Sequence, residues 1–147
     1  MTRLASSPRR RDGVATHRWT HRPANAVRAR NALRTYLLGW GVSPEVADDA
    51  VLVLSELFTN AVSHARKPGG HVIGTRFERL VGGVRIEVHD ASGVSPRRQE
   101  PTTYAEFGRG LVLVDALTGG SWGVGDREGV GKMVWAECVE AGSEVRG

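Results

Sequence analysis

Leu54-Ser55-Glu56-Leu57-Phe58-Thr59-Asn60-Ala61-Val62-Ser63-His64-Ala65 reads as the second half of a helix that begins near Ser43. At about 100° per residue, Val51, Leu54, Phe58, Ala61 and Ala65 fall on one side. Glu56, Asn60, Ser63 and His64 fall on the other. Most such patterns mean an amphipathic helix with a wet face. Here Leu52 and Val53 share the side of Glu56 and Asn60 one turn earlier, so that side is not simply solvent. A carboxylate and a carboxamide one turn apart, opening out of an apolar stretch, look like groups lining a polar cavity.

Working outward, Ser43-Pro44-Glu45 starts this helix with an N-cap hydroxyl, a proline at the first helical position and an acid in the first turn. The helix extends to about Ala65, and Pro68-Gly69-Gly70 stops it. Upstream, Pro23 opens another helix that carries Val27, Leu33, Tyr36, Leu37 and Trp40 towards the core, ended by Gly39 and Gly41. His17 to His21 alternates enough for a short edge strand. Downstream the period changes to two. Val72–Leu80 and Val84–Asp90 are strands around a Gly82-Gly83 hairpin turn. In the second, Val84, Ile86 and Val88 alternate with Arg85, Glu87 and His89, and Asp90 is in phase with the inward set. After a long loop over residues 91–107, Leu111–Leu117 is a short, largely buried helix ended by Gly119-Gly120. Ser121–Val124 and Val130–Val139 form a last hairpin around Asp126 to Gly129. Hairpin connections make antiparallel strands. The expected fold is therefore α+β, a two-layer sandwich with helices on one face of a mainly antiparallel sheet.

The chain has 147 residues, 40% hydrophobic and 24% charged, which fits one soluble globular domain. No apolar run approaches transmembrane length, and the Arg-rich start has no apolar segment of the kind a secretory leader needs. The single Cys138 excludes an internal disulfide and fits a reducing compartment, so the expected location is the cytoplasm without membrane contact. In its strand Cys138 reads as a small buried hydrophobe. The net charge of +4 is unevenly placed: residues 1–30 carry +7 and residues 31–147 carry −3. Residues 1–16 read as a disordered basic arm, 17–140 as the folded domain and 141–147 as a flexible tail. The domain shows no clustered basic face, so nucleic-acid contact is expected, if anywhere, through the arm.

Other positions invite chemistry. Asp90 points at the core, where an unpaired carboxylate is costly, and a purine's exocyclic amine is one donor that could meet it reversibly. Its plainer reading is a polar residue closing a strand. The small Ala91-Ser92-Gly93 would let a planar group approach the backbone. Gly108-Arg109-Gly110, before a helix, could present backbone amides and a guanidinium to a phosphate, or simply be a hinge. Lys132 reads most simply as a solvated lysine on an edge strand. The histidines lack metal-ligand spacing.

Taken together, these stretches resemble a known family. Glu56 to Ala65 resembles the N box of the GHKL, or Bergerat-fold, ATPases. Asp90-Ala91-Ser92-Gly93-Val94-Ser95-Pro96 resembles the G1 box, Gly108-Arg109-Gly110-Leu111 the G2 box, and Gly131-Lys132-Met133-Val134-Trp135 the last box. The likeness covers roughly residues 17–140. It is greatest to the stand-alone anti-sigma factors that are also serine/threonine protein kinases of their antagonists.

The resemblance implies ATP and Mg²⁺ as cofactors. Glu56 would be the general base, Asn60 the Mg²⁺-reaching amide, and Asp90 the reader of the adenine amino group. Ser92 and Gly93 would lie beside the base, and Gly108, Arg109, Gly110 and Leu111 at the phosphate turn. Residues 94–107 would be the lid. It implies transcription regulation through a STAS-type anti-anti-sigma partner and a sigma factor, and leaves room for a homodimer. A binding module without turnover, or nucleic-acid contact through the arm, are the alternatives. A sensor histidine kinase is not expected at this length. Ser92 and Val94 stand where the G1 pattern has glycines. Lys132 stands where the last box often has threonine, and it is available for a phosphate contact.

Overall fold

The computed structural model describes residues 9–11, 13–63, 72–90, 109–126 and 132–141. In chain order the elements are β1 (Arg9–Arg11), β2 (Val14–Thr20), α1 (Asn25–Gly39), α2 (Pro44–Ser63), β3 (Val72–Leu80), β4 (Gly83–Asp90), α3 (Arg109–Thr118), β5 (Trp122–Asp126) and β6 (Lys132–Val139). The strands form one six-stranded sheet in the order β1-β2-β3-β4-β6-β5, with every neighbouring pair antiparallel. The helices cover one face. Ala15, Ile73, Phe77, Val84, Ile86, Val88, Ala136 and Cys138 point from the strands into one core with Leu33 and Leu37 of α1, Val53, Leu54, Leu57 and Phe58 of α2, and Leu111 and Val114 of α3. This is the expected α+β sandwich. No helix among the described residues is long and apolar enough to cross a membrane.

The Ser43 hydroxyl accepts from the Val46 N–H at 3.3 Å, so the local start signal of α2 works as its chemistry predicts. The earlier helix is shifted from expectation. It starts at Asn25, and Val27 is 48% exposed while Ala26 and Ala29 face the core. Alanines on the buried stripe let α1 approach its neighbours closely, which a valine pattern does not reveal. On α2, Val53 is buried as expected on the Glu56 side, but Leu52 is 47% exposed. The last helix is not largely buried: Leu111 and Val114 anchor it, whereas Val112 is 61% exposed.

The N-terminal reading needs correction. Residues 9–11 and 14–16 are strand, not a disordered arm, and β2 is an interior strand between β1 and β3, not an edge. Gly13, at φ +82°, makes the reversal between β1 and β2. Ala15, His17 and Trp19 form the inward set, with the Trp19 Nε1–H donating to Thr75 Oγ1 at 3.0 Å. The hairpin turn is also displaced by one residue. Leu80 pairs with Gly83, so Val81-Gly82 is the two-residue loop. Gly83 is a strand residue for a different reason: a Cβ there would lie 1.9 Å from the Cys138 carbonyl oxygen. The strand carrying Lys132 is interior, between β4 and β5, so it is not the edge the sequence suggested.

The face of the sheet opposite the helices holds a charged network centred on Glu87, whose side chain is 12% exposed. Arg85 Nε donates to Glu87 Oε2 at 3.0 Å, His89 Nε2 lies 2.9 Å from Oε1, and Arg85 Nη1 also reaches Glu137 at 3.0 Å. The Arg85 guanidinium lies 4.6 Å from the centre of the Trp135 ring. The His89 hydrogen bond, opposed by burial and helped by Arg85 and Arg76, holds the Glu87 carboxyl at about 2 against an ordinary 4.5.

Three expected outcomes follow. Gly83→Ala should lose about 1–3 kcal/mol or more in urea unfolding, because backbone must move. Gly39→Ala, whose added Cβ meets nothing within 4 Å, should gain about 0.4–1 kcal/mol. The depressed Glu87 contributes stability that is complete above pH 4.5 and is lost as pH falls towards 2. Glu87→Gln should therefore cost about 1–2 kcal/mol at neutral pH after solvent screening and flatten the acid limb of a melting-temperature profile.

Candidate functional site

Helix α2 and strand β4 begin at the same end of the molecule. Trp40, Gly41 and Val42 before α2, and Leu80, Val81, Gly82 and Gly83 at the hairpin, line one cavity of about 470 Å³. α2 then packs along β4. Asn60 is about 24 Å along the helix at 1.5 Å per residue. Asp90 is about 23 Å along its strand at 3.3 Å per residue. The two residues therefore arrive together at the opposite end of the sandwich, far from that cavity. The arrangement follows from the lengths of two elements that start side by side.

At that end, two side chains of α2 have no polar partner among the described residues. Glu56 and Asn60 are half-buried and one turn apart, on the same side of α2. The Asn60 Nδ2 is buried and has no hydrogen-bond partner among the described residues. Since the amide's O and N are interchangeable by rotation, what is unmet is one polar end of the carboxamide, at a cost of about 1–3 kcal/mol. Glu56 makes no hydrogen bond or ion pair with a described residue. Asp90, 7% exposed, ends the inward set of β4 and stands opposite Ile73 on one side and Lys132 on the other.

Helix α3 packs on α2 and β6, the elements that carry Asn60 and Lys132. Leu111, 1% exposed, is a core anchor, so it can serve a ligand only through its backbone. The Trp122 Nε1–H donates to Asp115 Oδ1 at 2.8 Å and ties the far end of α3 to β5. Gly119 and Gly120, at φ +65° and +89°, make the turn between them. Arg109 and Gly110 open α3, where backbone N–H groups lack intrahelical acceptors and the helix dipole is positive. Ser92, Gly93, residues 94–107 and Gly108 lie outside the described residues, as do His64 and Ala65.

Of the residues singled out in the sequence, the structure thus brings Glu56 and Asn60 to the same end as Asp90 and sets Lys132 beside Asp90. The sequence reading missed Asp126, which stands opposite Lys132 on the other side. Only the hairpin register, with Asp126 closing against Lys132, could have revealed it. Cys138 is buried, and burial, with a smaller contribution from Asp49, pushes its thiol up to about 12, so it is inert here.

The family model described as the histidine kinase-like ATPase domain matches residues 19–137. The chain belongs to that family, and its sandwich is the family's fold. No curated protein matches the chain. The domain is therefore an ATP-binding, ATPase-like domain, a class that usually binds ATP with Mg²⁺. The residues present fit such a ligand. Asp90 is a buried carboxylate of the chemistry an exocyclic amine would need, Asn60 has a polar atom unmet among the described residues whose partner oxygen suits a hard cation, and Glu56 makes no ion pair with a described residue.

An unmet polar atom held for a ligand is a burden on the ligand-free fold. Asn60→Ala should melt at the same temperature as wild type or a few degrees higher without ligand, and should lose most of the melting-temperature rise that ATP and Mg²⁺ produce. A scan with and without ligand checks both. A large ligand-free destabilisation would make Asn60 a structural residue instead.

Proposed function

We propose that this protein is an ATP·Mg²⁺-binding regulator of the anti-sigma factor type, which phosphorylates a serine or threonine of a STAS-type anti-anti-sigma partner and holds a sigma factor. The observation that carries the reading is the Glu56–Asn60 pair: a carboxylate and a carboxamide one turn apart on α2, uncommitted or unmet among the described residues, at the end of the sandwich where β4 ends in Asp90. The resemblance to stand-alone kinases of that type, residue by residue, supplies the partner class.

Phosphoryl transfer asks a protein mainly for positioning and charge neutralisation. Bound ATP·Mg²⁺ supplies the electrophilic phosphoryl group, partly neutralised by the ion. Asp90 would orient the base by accepting from its amine. Asn60 would help to hold the metal through its amide oxygen. Arg109 and Gly110 offer the amides and the charge of the α3 start to the phosphates. Glu56, without an ion pair among the described residues, would accept the proton that the partner's hydroxyl gives up as its oxygen bonds to the γ-phosphorus and the bond from that phosphorus to ADP, the leaving group, breaks.

A general base matters for transfer and little for ground-state binding. Glu56→Ala should keep ATP affinity within a few-fold while transfer of labelled γ-phosphate to STAS-type partners falls by about 10²–10⁴. A parallel melting curve separates this from loss of the fold. Robust ATP binding by wild type with no transfer to any such partner would leave a nucleotide-controlled binding module and retire the kinase.

A further inference from the structure

The cavity at the hairpin end lies away from Glu56, Asn60 and Asp90 and carries charges of its own, Arg79 and Glu140. Arg79 follows Ile73, Thr75 and Phe77 in the inward set of β3. Glu140, one residue past β6, follows Ala136 and Cys138, and its backbone N–H still donates to the Gly82 carbonyl at 2.9 Å. Both residues therefore leave the sheet on the helix-covered face, two strand spacings apart, about 9–10 Å, across β4. They form no ion pair with each other or with any other described residue. Charges past the ends of strands are ordinarily just solvated, but these two line one cavity that also has an aromatic wall. That wall is Trp40, whose ring stacks on Tyr36 with centroids 5.7 Å apart, while the Tyr36 hydroxyl lies 2.9 Å from His17 Nε2. The indole is thus held before any ligand arrives.

We propose that this cavity is a second ligand site, for a free aromatic α-amino acid. Arg79 takes its carboxylate, Glu140 its ammonium, and Trp40 with Leu80 and Val81 its ring. A guanidinium only donates, in a fork that matches a carboxylate, and a carboxylate only accepts. The pair is therefore the complement of a zwitterion. A residue inside a peptide has neither terminal charge, which selects the free amino acid over a chain segment. The volume of about 470 Å³ falls in the usual range for small-molecule sites, about 300–1,000 Å³. Because Arg79 and Glu140 are exposed, their charges are screened, and the expected affinity is weak, on the order of 1 mM. The site does not depend on the nucleotide proposed for the other end of the sandwich.

The test crosses a change in the ligand with a change in the protein. Full-length wild type, Arg79→Met and Glu140→Gln are titrated at low salt, followed by NMR, with three ligands. These are L-phenylalanine, phenethylamine, which lacks the carboxylate, and 3-phenylpropionate, which lacks the ammonium. Wild type should bind phenylalanine saturably and each analogue about tenfold more weakly, the loss of one charge-assisted contact. Arg79→Met should bind phenylalanine about tenfold more weakly, no longer distinguish it from phenethylamine, and still discriminate against 3-phenylpropionate. Glu140→Gln should show the reverse. L-Alanine, with both charges and no ring, should bind wild type about tenfold more weakly than phenylalanine. Neither substituted side chain has an ion pair to lose among the described residues, so both variants should melt with wild type. Absence of saturable phenylalanine binding by folded wild type overturns the proposal, as do variants that keep the wild-type discrimination among the three ligands. Alanine binding as tightly as phenylalanine overturns the aromatic ligand class. ATP binding, measured in parallel, should survive both substitutions, so failure here leaves the nucleotide site standing.

Discussion

The site depends on β4 keeping its register between β3 and β6. Gly83 pins one end, because its α-carbon passes so close to the Cys138 carbonyl that no side chain fits. A slip of one residue would turn every β4 side chain to the other face. Arg85, Glu87 and His89 would then enter the core, and Val84, Ile86, Val88 and Asp90 would leave it. Burying three polar groups without their partners costs far more than the sheet could offset. The alternation that builds the core is therefore the same constraint that delivers a carboxylate to its inner end.

The two faces of the sheet handle charge differently. On the outer face Glu87 has Arg76, Arg85 and His89 around it, and Arg85 also has Glu137 and the Trp135 ring. Those groups satisfy one another, and the result is stability. At the end of the inner face, Asn60 keeps a buried polar atom without a partner among the described residues, and Glu56 makes no ion pair with any of them. A fold selected for stability alone would fill or remove such groups. Their persistence where two elements converge is the physical signature of a ligand site, in keeping with the family match over residues 19–137.

Much of this was legible in the sequence because it is local. The Ser43-Pro44-Glu45 start, the 3.6-residue period of α2 and the alternation of β4 are each written within a few residues. Together they place Glu56, Asn60 and Asp90. What escaped is non-local. The arginines of β1 hid a strand whose reason is pairing with β2, and the Ala26 and Ala29 stripe hid the true inner face of α1. The Gly82-Gly83 pair suggested a symmetric turn, whereas Gly82 serves the turn and Gly83 serves a close approach to β6. The row of Asp90, Lys132 and Asp126 depends on the pairing of three strands, which no single stretch records.

The central claim is that the inner end of the sandwich binds an adenine nucleotide with its metal. Calorimetric titration of the wild-type chain with ATP, once with Mg²⁺ and once with a chelator, tests it most directly. The account predicts saturable binding below about 1 mM, a usual range for nucleotide substrates, that weakens when the metal is removed. No saturable binding in either buffer, from protein that melts cooperatively, would contradict it.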